Sequence, residues 1–144
     1  MSEHDKWVIW YARDWGLERG IEGLGAIYAV ENHGKMRGVR PEYNGDECAG
    51  PGQNNVRYAT IREHGTNYTL VQYDRVKERL QTDLEYSLEN SHAHIRQCFR
   101  RYWSWWKRWK YYNGINALTE AYPAKVEAWK YFLDERELEK RLEE

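Results

Sequence analysis

The chain has 144 residues, a formal net charge of −1 and a mean hydropathy of −1.00. That length suits a single domain, residues 1–144, with a real core. The near-zero charge excludes the global positive field of a histone-like protein. Eight Trp and twelve Tyr stand against two Phe, a load that argues against a disordered chain. Tyr and Trp carry a polar handle, so they suit half-buried positions and interfaces better than a dry interior.

No apolar run reaches the length of a transmembrane segment, and MSEHDKW is not the pattern of a signal peptide. Cys48 and Cys98 fall in no CxxC or Cys/His spacing, so free thiols in a reducing, cytoplasmic setting are expected.

Residues 6–30 read as a helix, or as two short ones. Trp7, Trp10, Leu17, Ile21, Leu24 and Tyr28 recur at helical spacing. Gly16, Gly20 and Gly23 share one face at i, i+4 and i+7, where a second helix could approach, although a break near Gly16 is the alternative. Residues 33–55 read as a long Gly-rich loop. Its Lys35, Arg37 and Arg40 form a small basic cluster.

Residues 56–73 carry the strand signal. Val56, Tyr58 and Thr60 alternate with charged or small residues, as do residues 68–73, and His64-Gly65 lies between as a turn; one β-hairpin is expected. Asp74 is the expected N-cap of a long helix over 74–113, with Val76, Leu80, Leu84, Leu88, Ile95 and Phe99 as its stripe. Asn113-Gly114 supplies its stop, and Asn90-Ser91 is a plausible break. The last helix, 119–143, holds Pro123 in its first turn and buries Val126, Trp129 and Leu133, with a solvated, ion-paired tail. The expected fold is therefore α+β and mainly α, with three main helices and one hairpin.

Within the third helix, residues 96–112 hold six cations, eight aromatics and no acid. On a helical wheel Ile95, Phe99, Tyr102, Trp106 and Trp109 form a buried arc, while Trp103 and Tyr111 project among the cations. Cations take phosphates and an exposed ring stacks on a base, so Arg96, Arg100, Trp103, Lys107, Lys110 and Tyr111 are the candidate binding residues, joined by Lys35, Arg37 and Arg40. Burial of Trp103, or pairing of Arg100 and Lys107 with the C-terminal acids, would remove that surface.

No catalytic constellation appears. His92 and His94 diverge on a helix, Glu63-His64 is a common kind of surface pair, and Cys48 lacks a partner in sequence. There is no P-loop, HExxH or GxSxG. No catalytic residue, cofactor or metal is therefore expected. The function expected is non-enzymatic binding of nucleic acid or a nucleoprotein complex through the basic aromatic helix face. The alternative is a protein–protein interaction module or inhibitor, in the style of the small proteins that phages and mobile elements turn on host machinery. A small enzyme without a linear motif is the third reading.

Overall fold

The computed structural model describes residues 1–42, 44–112 and 121–143, without the side chains of Phe99, Tyr111, Leu138 and residues 141–143. Among them the chain is mainly helical, with a small antiparallel sheet, and no helix is long and apolar enough to cross a membrane.

The first helical segment is two helices, α1 (Glu3–Leu17) and α2 (Leu24–Asn32). Ser2 caps α1, its Oγ accepting from the Asp5 amide at 3.1 Å. The reversal runs through Gly20 and Gly23, both at positive φ. Close approach is borne out at Gly16, where a Cβ would stand 2.9 Å from the Leu24 Cβ of α2, and at Gly23, where it would stand 2.8 Å from the Trp109 ring, but not at Gly20; Gly25 adds a further close contact. A Cβ there would stand 2.7 Å from the Ile9 carbonyl oxygen and from the Arg13 Cβ. That contact lets α2 bury every residue from Leu24 to Ala29.

The segment 33–55 is not a loop. It folds into β1 (Val39–Pro41), β2 (Glu47–Ala49) and β3 (Asn54–Asn55), antiparallel in that order, with Arg40 opposite Cys48 and Cys48 opposite Asn55. Strands this short leave too little alternation to register as a pattern.

The hairpin expected over 56–73 is instead a helical pair, α3 (Val56–His64) and the start of α4 (Leu70–Thr82). Val56, Ala59 and Thr60 are buried at i, i+3 and i+4, whereas Tyr58 is exposed. Asn55 caps α3 through the Tyr58 amide at 2.9 Å. Thr69, rather than Asp74, caps α4 in a reciprocal capping box with Gln72. Thr69→Ala is expected to cost about 1 kcal/mol in urea denaturation.

The expected 74–113 helix is three. Asp83 closes α4 and caps α5 (Leu84–Arg101), accepting from the Tyr86 amide at 3.1 Å. A second break at Tyr102 separates α5 from α6 (Trp105–Tyr112). Asn90 and Ser91 do not break the chain; both are buried inside α5. The expected stop at Asn113-Gly114 lies outside the described residues. The last helix, α7 (Ala121–Glu143), starts with Pro123 in its first turn as expected. Seven helices thus stand among the described residues where three were expected.

The main core gathers Ile21, Leu24, Ile27 and Tyr28 with Leu88 and Ile95 of α5, Trp109 and Tyr112 of α6, and Tyr122 and Val126 of α7. A smaller cluster of Ala49, Val56, Ala59, Val76, Leu80 and Tyr86 packs α3, α4 and the sheet. Polar groups tie the layers together. The Tyr28 hydroxyl meets Ser87 Oγ (3.0 Å) and Ser91 Oγ (2.8 Å). Asn54 Nδ2 donates to the Ser87 carbonyl and to Ser91 Oγ, both at 3.1 Å. The Tyr112 hydroxyl reaches Ser91 Oγ and the Gly52 carbonyl, both at 3.0 Å. A buried hydroxyl left unpaired would cost about 1–3 kcal/mol, so this network compensates its own burial.

Candidate nucleic-acid interface

The last turns of α5 turn Ile95 and Cys98 inward and leave Arg96, Arg100 and Arg101 exposed. Two cations in the final turn suit the negative end of the helix dipole. The helix ends where Tyr102 adopts an extended conformation (φ −131°, ψ 135°), its amide still bonded to the Cys98 carbonyl at 2.9 Å. Ser104 then starts α6, its Oγ accepting from the Lys107 amide at 3.3 Å and its carbonyl from the Arg108 amide at 3.1 Å.

Packing explains why the chain bends without a Gly or Pro. Trp109 is fully buried, donates Nε1 to Glu127 at 3.2 Å and stacks on Trp105 with ring centroids 4.7 Å apart. Arg108 locks the corner: its Nε donates to the Tyr102 carbonyl at 2.8 Å while its guanidinium lies 4.8 Å from the Trp105 ring centroid. Arg108 is thus part of the fold, not of a free surface.

Trp103, at the corner, is 97% exposed. The single wheel drawn over 96–112 is broken here, so its arcs need correction: Trp106, expected in the buried arc, is 38% exposed, and Tyr102 is half-buried. Among the described residues, the side chains of Arg96, Arg100, Arg101 and Lys107 form no ion pair or hydrogen bond with one another or with an acid. Of the described C-terminal acids, Asp134 pairs with Arg13 (3.0 Å) and Lys130 (3.3 Å), and Glu139 with Arg136 (3.4 Å). Lys110 is half-buried and not a free cation. The Tyr111 side chain lies outside the described residues.

The second basic cluster is largely neutralised. Lys35 is exposed, but Arg37 pairs with Glu78 at 2.9 Å. Arg40 stands 3.6 Å from Glu31 and 3.4 Å from Glu42. Neither arginine joins the α5–α6 corner as an unpaired charge.

Arg40 belongs to a polar cluster with no linear trace in the sequence. The Glu31 side chain, on the last turn of α2, is only 3% exposed, and burial pushes its carboxyl up to about 7 against the opposing pull of Arg40. The buried Tyr122 hydroxyl of α7 also acts on it, though it makes no hydrogen bond of its own among the described residues. Cys48 donates Sγ–H to Glu42 Oε1 at 3.2 Å, and burial with that carboxylate pushes the thiol up to about 12. A thiol held protonated is poorly suited to nucleophilic attack. His92 sits edge-on to Trp15, its imidazole held down by burial and then by Arg96 and Arg19. His94 lies apart, against the Tyr112 carbonyl at 3.3 Å.

Comparison with protein-family models, with curated proteins and with solved structures finds no match for this chain.

Proposed function

We propose that this is a non-enzymatic binding protein that engages nucleic acid, free or within a nucleoprotein complex, through the corner between α5 and α6. One observation carries the reading: an almost wholly exposed tryptophan lies between α5, with exposed Arg96, Arg100 and Arg101, and α6, with exposed Lys107, and no described acid pairs with these cations. Leaving an indole in water forgoes roughly 2–3 kcal/mol of burial, and the Trp103 ring is 97% exposed with no hydrogen bond or ring contact among the described residues. Unpaired cations beside a free π-face offer phosphate attraction and base stacking together. The net charge of −1 confines that attraction to the corner.

Fluorescence anisotropy with labelled DNA and RNA at low salt tests the reading. Wild-type protein is expected to bind, more weakly as salt rises, and the Arg100→Glu/Lys107→Glu variant to lose binding while keeping its circular dichroism spectrum. Absence of binding by folded wild type at low salt sinks the proposal.

A second reading, a protein-interaction module, is favoured by a different surface. On α1, His4 stacks on Trp7 (5.8 Å) and Trp7 packs against Tyr11 (5.0 Å), while Trp7 remains 51% exposed. Aromatic residues are enriched among interface hot spots. A complex stable at high salt, weakened by Trp7→Ala but not by the charge-reversed variant, would favour it over the first.

A further inference from the structure

We infer that the α5–α6 corner takes an unpaired strand, DNA or RNA, with one base stacked on Trp103 and the flanking phosphates held by Arg96, Arg100 and Arg101 on one helix and Lys107 on the other. This rests on the nucleic-acid reading above and narrows it to a substrate class.

Three observations point the same way. First, an indole that is 97% exposed has both faces open, and it springs from an extended linkage where no helix turn shields it. Inside a duplex the base faces are already stacked on their neighbours; only an unpaired base has a face to give.

Second, the corner is poorly shaped for a duplex groove. The helix α6 has eight residues, about 12 Å of length, and buries Trp109 and Tyr112 on one side. Among its described side chains, the guanidinium that would read a base edge, that of Arg108, is tied to the Tyr102 carbonyl and Trp105. Trp106 and Lys107 remain on its exposed side, a ring and a point charge without base-reading geometry.

Third, the free cations lie on both helices that meet at the ring. Arg96 and Arg100 are one helical turn apart, with a rise of about 6 Å. Lys107 follows the break, held in register by the Ser104 cap. A strand laid across the corner has charge to meet on either side of its stacked base. Four such contacts imply a salt slope of about −3 on a single strand and a footprint of about four nucleotides.

The test is an anisotropy series with a labelled twelve-nucleotide strand, as DNA and as RNA, and the fully paired duplex of the same sequence. Wild type, Trp103→Ala, Trp103→Phe and Arg100→Glu/Lys107→Glu are compared. Since the Trp103 side chain is 97% exposed, its variants should keep the fold, which circular dichroism checks. The single strand is expected to bind at least tenfold tighter than the duplex. Trp103→Ala should weaken single-strand binding by about tenfold to a hundredfold, with duplex affinity unchanged, and Trp103→Phe should restore most of the loss. Equal affinity for the two forms, or an equal loss on both in Trp103→Ala, overturns the unpaired-strand inference while leaving nucleic-acid binding in place. No binding of either form by the folded wild type overturns both. The DNA and RNA arms separate the two sources of a strand.

Discussion

Replacing Glu31 by glutamine is expected to stabilise the protein by about 3 kcal/mol at pH 8 and by almost nothing near pH 4.5. The folded-state carboxyl is raised to about 7, chiefly by burial, from 4.5 in the unfolded chain. Between those values the folded protein holds a proton that the unfolded chain has released. Stability contributed by this group is therefore full below pH 4.5 and falls by roughly 1.4 kcal/mol per unit as pH rises toward 7. Above pH 7 the cost is constant, because both states are ionised.

Glutamine has the same shape and no charge, so the variant lacks this slope. Arg40 keeps Glu42 as its partner at 3.4 Å. The groups that set the Glu31 environment come from three elements besides α2: Arg40, Glu42 and Cys48 from the sheet region, Tyr112 from α6 and Tyr122 from α7. Asp46 and Glu47 titrate oppositely. Hydrogen bonds from Arg57 and Tyr73 hold them low, so their stabilisation is lost only as pH falls below the usual carboxylate range. The two windows do not overlap. Urea denaturation of both proteins from pH 4.5 to 8.5 reads the difference directly, and a glutamine variant no more stable than wild type at pH 8 would show that Glu31 is not buried as a costly charge.

Gly50→Ala is expected to lose about 3–5 kcal/mol, and Gly45→Ala only about 1 kcal/mol. The two glycines have nearly the same φ, +84° and +87°. Both therefore impose the left-handed cost on an alanine. They differ in what a methyl group would strike. At Gly45 nothing lies within 4 Å, whereas at Gly50 the Cβ would stand 2.0 Å from the Leu80 carbonyl oxygen. That oxygen is helical backbone of α4, so the sheet would have to move away from α4 and open the cluster around Ala49, Val56 and Leu80. Thermal or urea denaturation of the pair separates strain from collision. Equal losses in the two variants would refute the close approach of sheet and helix.

The mainly helical character of the chain, and the buried faces of two of its helices, are legible in the sequence. The stripe through Leu84, Leu88 and Ile95 does lie inward in α5, and Pro123 does sit in the first turn of α7. The hairpin expectation failed for a physical reason. Val56 and Thr60 belong equally to a period of two and to an i, i+4 pair, and Ala59 reads as a small residue facing out until its burial is known. The caps were the better guide, since Asn55 and the Thr69–Gln72 pair mark helix starts by side-chain chemistry that a strand does not need.

The candidate site shows the same division. That Trp103 faces solvent agrees with the helical wheel, but the cause is a break in the helix that the wheel does not contain. The engagement of Arg108 by the Tyr102 carbonyl depends on the corner itself, and the pairing of Arg37 with Glu78 on a neighbour across the fold. Glu31 is the extreme case. A glutamate in the last turn of a helix looks like solvated charge until the sheet and α7 close over it.

The hydroxyl network at Ser91 has a consequence for how the protein comes apart. Tyr28, Asn54 and Tyr112 all converge on one serine, so α2, β3 and α6 share a single set of donors and acceptors. No one of them can leave without orphaning groups on the others. Slipping β3 by one residue would withdraw the Asn54 amide from Ser91 and put Gln53 or Asn55 in its place. The helix that carries Lys107 is thereby coupled to the small sheet, and the two should open as one unit. Their amide protons would then exchange with a common free energy close to that of global unfolding.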